Sequence, residues 1–155
     1  MALHFRHNAG FGKRIEYWII GQMLKESLDV FVPLVDDDAI DAVIRRSDAS
    51  FVTIQVKARS KDVVSGDSAL FAAIPHELRQ DYWFVFYSER MDMMWIMTSK
   101  EFIKESVQNK TGKNKGKRSI WFNGRKTNRK TRKVTEYCKP KFQKYVAHDF
   151  SRLKT

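Results

Sequence analysis

From Phe11 to Leu28 apolar residues recur at helical spacing. Ile15, Tyr17, Trp18, Ile19, Ile20, Met23, Leu24 and Leu28 form a broad face, while Lys13, Arg14, Lys25 and Glu26 turn to water. Asp29 breaks this pattern, and residues 30–35, with Pro33 as an edge-type residue, read as a strand. The acidic triplet Asp36, Asp37, Asp38 reads as a turn. A short strand from Asp41 to Arg45 or Arg46, a hairpin loop over 47–50 and a strand over 51–58 follow. Residues 69–74 fit strand or helix, and 75–80 could open a helical turn behind Pro75. The continuous run Tyr82 to Tyr87 suits a strand buried on both faces, with Met91 to Met97 as its hairpin partner. Thr98 or Ser99 then caps a helix to about Gln108 that carries Glu101 in its first turn. Phe142, Tyr145, Val146, Phe150 and Leu153 predict a closing helix over about 140–153. Residues 1–10 carry His4, Arg6, His7 and Asn8 without periodicity. The order predicts an α/β fold, a mixed central sheet flanked by helices.

Composition places this in one domain over residues 1–155. At 43% apolar and 13% aromatic residues, 155 positions support one core, and no internal repeat is visible. Its parts are a core over about 11–109, a basic segment over 110–133 and the terminal helix. No apolar stretch is long enough to span a bilayer and no secretory signal pattern opens the sequence, so a membrane is not expected as partner. The single cysteine, Cys138, excludes an intramolecular disulfide and a Cys-rich zinc site, which favours a reducing, cytoplasmic setting.

Charge sharpens the picture. The net charge is +11, and eleven Lys or Arg lie between Lys110 and Lys133 with no Asp or Glu among them; the remaining 18 basic residues balance the 18 acidic ones. A block of this kind points to a polyanionic partner, or else to a solubilising loop. Lys113, Lys115, Lys117, Arg118, Arg125, Lys126, Arg129 and Lys130 are candidate phosphate contacts, with Arg59 and Lys61 extending the positive path. The run from Lys110 to Lys117 lacks the spacing of a nucleotide-binding P-loop. Trp121 and Phe122 read as core packing of a small strand, with stacking on a base as the alternative.

The candidate chemistry sits on strand 51–58. Alternation sends Gln55 and Lys57 to one face, about 7 Å apart at roughly 3.3 Å per residue. Asp41 opens the neighbouring strand and can lie opposite or diagonal to Gln55. As single residues these fit a half-solvated strand and a backbone-capping acid, and Asp36, Asp37 and Asp38 compete with Asp41 for the acidic role. Glu16 has Ile19, Ile20, Met23 and Leu24 as helical neighbours, so its carboxylate needs an ion-pair partner, such as Lys57, or a metal. The four histidines (4, 7, 76 and 148) lack metal-binding spacing and read as structural or surface residues.

Taken together, a helix with Gly12 and Glu16, then Pro33, Ile40-Asp41 and the run Ile54, Gln55, Val56, Lys57, Ala58 resembles the PD-(D/E)xK, or restriction-endonuclease-like, nuclease superfamily. The likeness is to the QxK variant in which glutamine replaces the second acid, as in nuclease-related and resolvase-like members, and it covers roughly residues 11–100. It implies a core of helix, three strands, helix, strand, with the basic segment as a C-terminal extension. Two departures stand out: no proline precedes Asp41, and Gln55 removes a negative charge from the metal site.

The resemblance implies a DNA nuclease using Mg2+ or Mn2+. Asp41, the side-chain carbonyl of Gln55 and the backbone carbonyl of Val56 would be ligands, oxygen donors of the kind Mg2+ prefers. Glu16 would hold a metal-bound water or a second metal. Lys57 would orient or help deprotonate the attacking water and stabilise charge on the phosphate. Products with 5′-phosphate and 3′-hydroxyl ends, a prokaryotic-type context and a homodimer that cuts both strands are compatible with it. Two other readings remain: a catalytically impaired nucleic-acid-binding module on the same scaffold, and a protein-interaction subunit whose basic segment docks an acidic protein.

Overall fold

The computed structural model describes residues 8–63 and 68–155. His4, His7 and residues 64–67 lie outside these residues. Helix α1 spans Asn8–Lys25. It packs Ile19, Ile20 and Met23 inward, but Tyr17, Trp18 and Leu24 stay exposed, so the buried face is narrower than the periodicity suggested. The helix stops where Ser27 takes a left-handed φ of 65° and the Leu28 N–H returns to the Met23 carbonyl, a Schellman-type end.

Among the described residues eleven strands follow: β1 Asp29–Phe31, β2 Ala42–Arg45, β3 Phe51–Arg59, β4 Leu70–Ile74, β5 Tyr82–Ser88, β6 Met93–Thr98, β7 Val107–Gln108, β8 Arg118–Trp121, β9 Asn123–Thr127, β10 Val134–Cys138 and β11 Val146–Ala147. Six make the central sheet in the order β1-β2-β3-β5-β6-β11. Only the β3–β5 junction is parallel, with Gln55 opposite Phe84, and the other four pairings are antiparallel. The sheet is therefore mixed, as expected. A three-stranded sheet, β4-β8-β7, and the hairpin β9–β10 complete the strands.

The central sheet carries an apolar layer on each face. One holds Ile19, Met23, Ile44, Ile54, Val85, Ile96, Phe150 and Leu153, under α1 and the C-terminal turn. The other is aromatic: Tyr82, Phe84, Phe86, Trp95, Phe102, Phe122 and Phe142 pack between the two sheets, with Trp95 and Phe122 stacked at 4.5 Å and 7°. Strand β5 is buried along its whole length because it feeds both layers.

Several expectations are corrected. The strand over 30–35 shrinks to β1; Leu34 and Val35 are exposed and pair with nothing in the sheet. Residues 69–74 resolve as β4, and 75–80 form no helical turn. The connection between β3 and β5 thus carries a strand where the implied core has its second helix. Helix α2, Ser99–Glu105, is capped by Thr98, whose side chain and that of Glu101 form a capping box; it ends earlier than Gln108. The basic segment is not one loop, since β8 and most of the β9–β10 hairpin arise within it. No helix fills 140–153. Pro140–Tyr145 is a 3-10 turn, β11 pairs with β6, and only Ser151–Lys154 is helical (α3). The apolar residues were correctly marked as inward-facing, with Phe142, Tyr145, Phe150 and Leu153 all buried, but their spacing also fits this broken path. No helix among the described residues is long and apolar enough to cross a membrane.

Candidate active site

The antiparallel ladder between β2 and β3 ends at Ala42 opposite Ile54. Asp41, one residue before, extends it in two ways: its own N–H donates to the Ile54 carbonyl at 2.8 Å, and its carboxylate Oδ2 accepts the Val56 N–H at 2.7 Å. A side chain thus does what the next backbone carbonyl of β2 would have done. In an antiparallel strand the N–H and C=O of one residue leave on the same side, so the Val56 carbonyl is directed past the end of β2, beside Asp41.

Glu16 comes down on this place from α1. Only 8% of its surface is exposed, and Asp41 is 9% exposed. The partner of Glu16 is Lys13 at 3.1 Å, one helical turn earlier, and not the Lys57 the sequence suggested. That pairing was legible as an i,i+3 acid–base spacing. Burial pushes the Glu16 carboxyl up; the Lys13 bond opposes it, while the negative charges of Asp41 and Asp36 push the same way. Burial also raises Asp41, against the pull of the Val56 N–H. Lys57 is half-buried, and desolvation draws its ammonium down despite the opposing charges of Asp41 and Asp36. Both acids are thus tilted toward their neutral forms, as expected where charge is concentrated and water partly excluded.

Gln55 lies half-buried on β3 with its side-chain Oε1 placed 3.1 Å from the Tyr82 hydroxyl, which also donates to the Ala39 carbonyl. Arg79 stands over the Tyr82 ring at 4.4 Å and donates to the Asp38 carbonyl at 2.8 Å. Tyr82 and Arg79 together hold the segment 38–39 that delivers Asp41. The sequence marked Tyr82 only as part of an apolar run, and nothing in its spacing distinguished its hydroxyl. Asp36, set aside as a turn residue, is exposed but its charge acts on Glu16, Asp41, Lys57 and Tyr82. Lys57 also lines a cleft of about 210 Å³ between the end of β3 and β4, where Ala73 adopts a left-handed φ of 56° at a break in the β4–β8 register.

The donor set is chemically suited to a hard divalent cation. Asp41, the Gln55 amide, the Val56 carbonyl and Glu16 offer only oxygen ligands. Among the described residues no three His, Cys, Asp or Glu side chains gather closely enough to hold a metal by themselves, so such a site depends on the amide and main-chain oxygens. His76 is structural: its Nε2 lies 2.7 Å from the Ser99 hydroxyl at the start of α2, and burial lowers its pKa to about 4.

The basic residues separate into two groups. Lys61, Lys113, Lys115, Arg125, Lys126, Arg129 and Lys130 are exposed; Arg59, Lys117 and Arg118 are half-buried. Arg118 donates to the Ile103 carbonyl near the end of α2 at 3.2 Å, and Arg125 faces Glu136 at 3.8 Å. Arg129 and Lys130, with Arg132 and Lys133, form the turn of the β9–β10 hairpin. The hairpin is anchored by Asn123, whose buried side-chain oxygen accepts the Ala69 N–H and the Trp121 indole N–H. Within it Tyr137 covers Gly124 so closely that a Cβ there would stand 2.5 Å from the ring. Phe122 is core as expected, whereas Trp121 is partly exposed beneath Lys139 at 4.2 Å.

No family model matches the chain, and no curated protein matches it. Among solved structures it is similar to that of a bacterial homing endonuclease, I-Ssp6803I, with a TM-score of 0.56 and 19% sequence identity over 91% of this chain and 89% of the other. At that identity the likeness establishes the fold, which is one that an endonuclease uses.

Proposed function

We propose that this protein is a metal-dependent endonuclease acting on DNA. What supports the reading is buried Asp41, where the β2–β3 ladder ends, acting electrostatically on both Glu16 and Lys57, on a fold that an endonuclease shares. Asp41, the Gln55 side-chain oxygen and the Val56 carbonyl hold Mg2+ or Mn2+, with Glu16 behind them. The cation supplies Lewis-acid activation and neutralises charge on the phosphate.

The protein residues do the rest. As the ammonium Lys57 donates to a non-bridging phosphate oxygen; desolvation favours its neutral amine, and that is the form that can take the proton of the attacking water. The water oxygen bonds to phosphorus, the P–O3′ bond breaks, and O3′ takes a proton from solvent. A 5′-phosphate and a 3′-hydroxyl result. The hairpin turn around Arg129 and Lys130 and the loop around Lys113 and Lys115 grip the DNA backbone, and a homodimer would cut both strands.

One observation favours a second reading. With glutamine at position 55 and no third carboxylate gathered at the site, a module that binds DNA without cutting it is consistent with the same geometry. The deciding experiment is cleavage of supercoiled plasmid with Mg2+ or Mn2+, with Asp41→Asn and Lys57→Met beside wild type and EDTA as control. Metal-dependent nicking lost in both variants supports the nuclease. Retained DNA binding without nicking by any form supports the binding module. No binding above salt-labile background favours a protein-docking role for the basic segment.

A further inference from the structure

We infer that Tyr82 is the positioning residue that turns the Gln55 carboxamide, nitrogen toward the phenol and carbonyl oxygen toward the cation site. The argument is a proton count. A phenol has one hydrogen to donate. The Tyr82 hydroxyl, on a residue only 1% exposed, bonds to the Ala39 carbonyl and stands 3.1 Å from the Gln55 side-chain atom placed as Oε1, so the single phenol hydrogen would have to serve two acceptors unless the amide is turned end for end. The Ala39 carbonyl can only accept, and it is the nearer partner, so it takes the hydrogen. A phenol, with an ordinary pKa of about 10, keeps that hydrogen at neutral pH. The Gln55 contact is then satisfied only if Gln55 donates to a lone pair of the phenol oxygen. The two ends of a carboxamide are nearly alike in shape, and their partners decide which way round it sits.

With Nε2 held by Tyr82, the Gln55 Oε1 faces away from the phenol, and no other hydrogen bond from a described residue engages it. Asp41 immediately precedes β2, and its carboxylate accepts the N–H of Val56, the residue next to Gln55 on β3. A neutral amide at a cation site has one useful end, and a residue that fixes it acts on the affinity for the cation. Arg79, stacked on the Tyr82 ring and tied to the Asp38 carbonyl, keeps the phenol in register. The consequence for metal rests on the metal-dependent reading above, while the orientation itself does not.

The test has two arms. In the first, the side-chain amide protons of Gln55 are observed in 15N-labelled protein, assigned by their loss in Gln55→Glu. One proton is expected to be shifted and slow to exchange in wild type and ordinary in Tyr82→Phe; identical spectra in the two overturn the inference. In the second, Mn2+ affinity is measured for wild type, Tyr82→Phe, Gln55→Glu and the double variant. Tyr82→Phe is expected to weaken Mn2+ about tenfold in wild type, the scale of a lost outer-shell partner. The loss should vanish with Gln55→Glu, since a carboxylate presents an oxygen either way round. Equal losses in both backgrounds assign Tyr82 to holding Ala39 alone and overturn the inference. No Mn2+ binding by wild type overturns the metal site, and the amide spectrum then decides the orientation by itself.

Discussion

The Asp41 carboxylate and the Val56 amide form a 2.7 Å hydrogen bond that continues a β-ladder past its last backbone pair. One acid closes the sheet and, in the proposed function, also supplies a ligand, and the two duties respond differently to substitution. Asp41→Ala leaves the Val56 N–H without its acceptor and is expected to cost about 1–3 kcal/mol of stability. Asp41→Asn keeps an acceptor and removes a charge that burial disfavours. In EDTA it is expected to be as stable as wild type or more so at neutral pH, because the folded pKa of Asp41 is raised and ionisation opposes folding. That advantage should fade as pH falls through the raised folded pKa and be gone below 3.8, where wild type is protonated in both states. Urea melts at two pH values check this, and both variants should fail to nick DNA.

The raised carboxyls of Asp41 and Glu16 make cation binding a competition with protons. Mn2+ affinity should climb with pH through a window lying above the ordinary values of 3.8 and 4.5, with release of protons on binding. Calorimetry in buffers of different ionisation enthalpy counts those protons. Affinity that is flat across this window would remove both acids from the ligand set.

Position 57 separates chemistry from stability. Lys57→Met keeps most of the stem and removes an ammonium that burial disfavours, so the metal-free protein should not be weakened. Cleavage should fall by about 10²–10⁴, the usual contribution of a positioned proton-transfer group. Single-turnover plasmid nicking and a urea melt give the two readings, and a parallel loss of both would make Lys57 structural.

Much of the site was visible along the chain because it lies on locally patterned elements. Glu16 announced itself as an acid on an apolar helix face, and Gln55 with Lys57 as the polar side of an alternating strand. What the sequence concealed came from distant strands. Tyr82 meets Gln55 through a parallel pairing that no local period encodes, and Lys13 took the partnership assigned to Lys57 simply by being nearer. The fold was misread where spacing is ambiguous. Residues 140–153 have helical intervals, yet Pro140 opens a 3-10 turn and the edge of β6 recruits Val146 and Ala147. Within the basic segment the small strand at Trp121 was legible, whereas the β9–β10 hairpin was not, because it is short and its exposed sides are rich in Lys and Arg.

Charge removal should discriminate between the two basic groups. Arg129→Ala with Lys130→Ala at the hairpin turn should weaken DNA binding without changing stability, and lower the slope of log K against log salt by about 1.8 for B-DNA. Arg118→Ala should instead lower stability, because it strips a donor from the Ile103 carbonyl. Salt titrations of binding beside thermal melts tell these apart; an unchanged salt slope would take the hairpin turn off the DNA.

Acid should loosen the protein through His76. Its folded pKa of about 4 lies below the ordinary 6.5, so the stability it contributes is present above 6.5 and lost as pH falls toward 4. His76→Gln should flatten that part of the pH–stability curve. An unaltered curve would point to other groups.

The parallel β3–β5 junction also sets an order of events. Asp41 reaches Val56 across 15 residues within a hairpin, while Gln55 reaches Tyr82 across 27 residues and only after the chain has crossed over through β4. Hairpins close in microseconds, and non-local parallel pairings wait on longer loop closure. The acid is therefore in position before the amide is oriented. A cation that needs both can bind only once the crossover has closed, so it should hold back the unfolding arm of a chevron and leave the folding arm almost unmoved. In kinetic terms, the proposed ligand set would act as a latch on the finished protein and not as a seed for its folding.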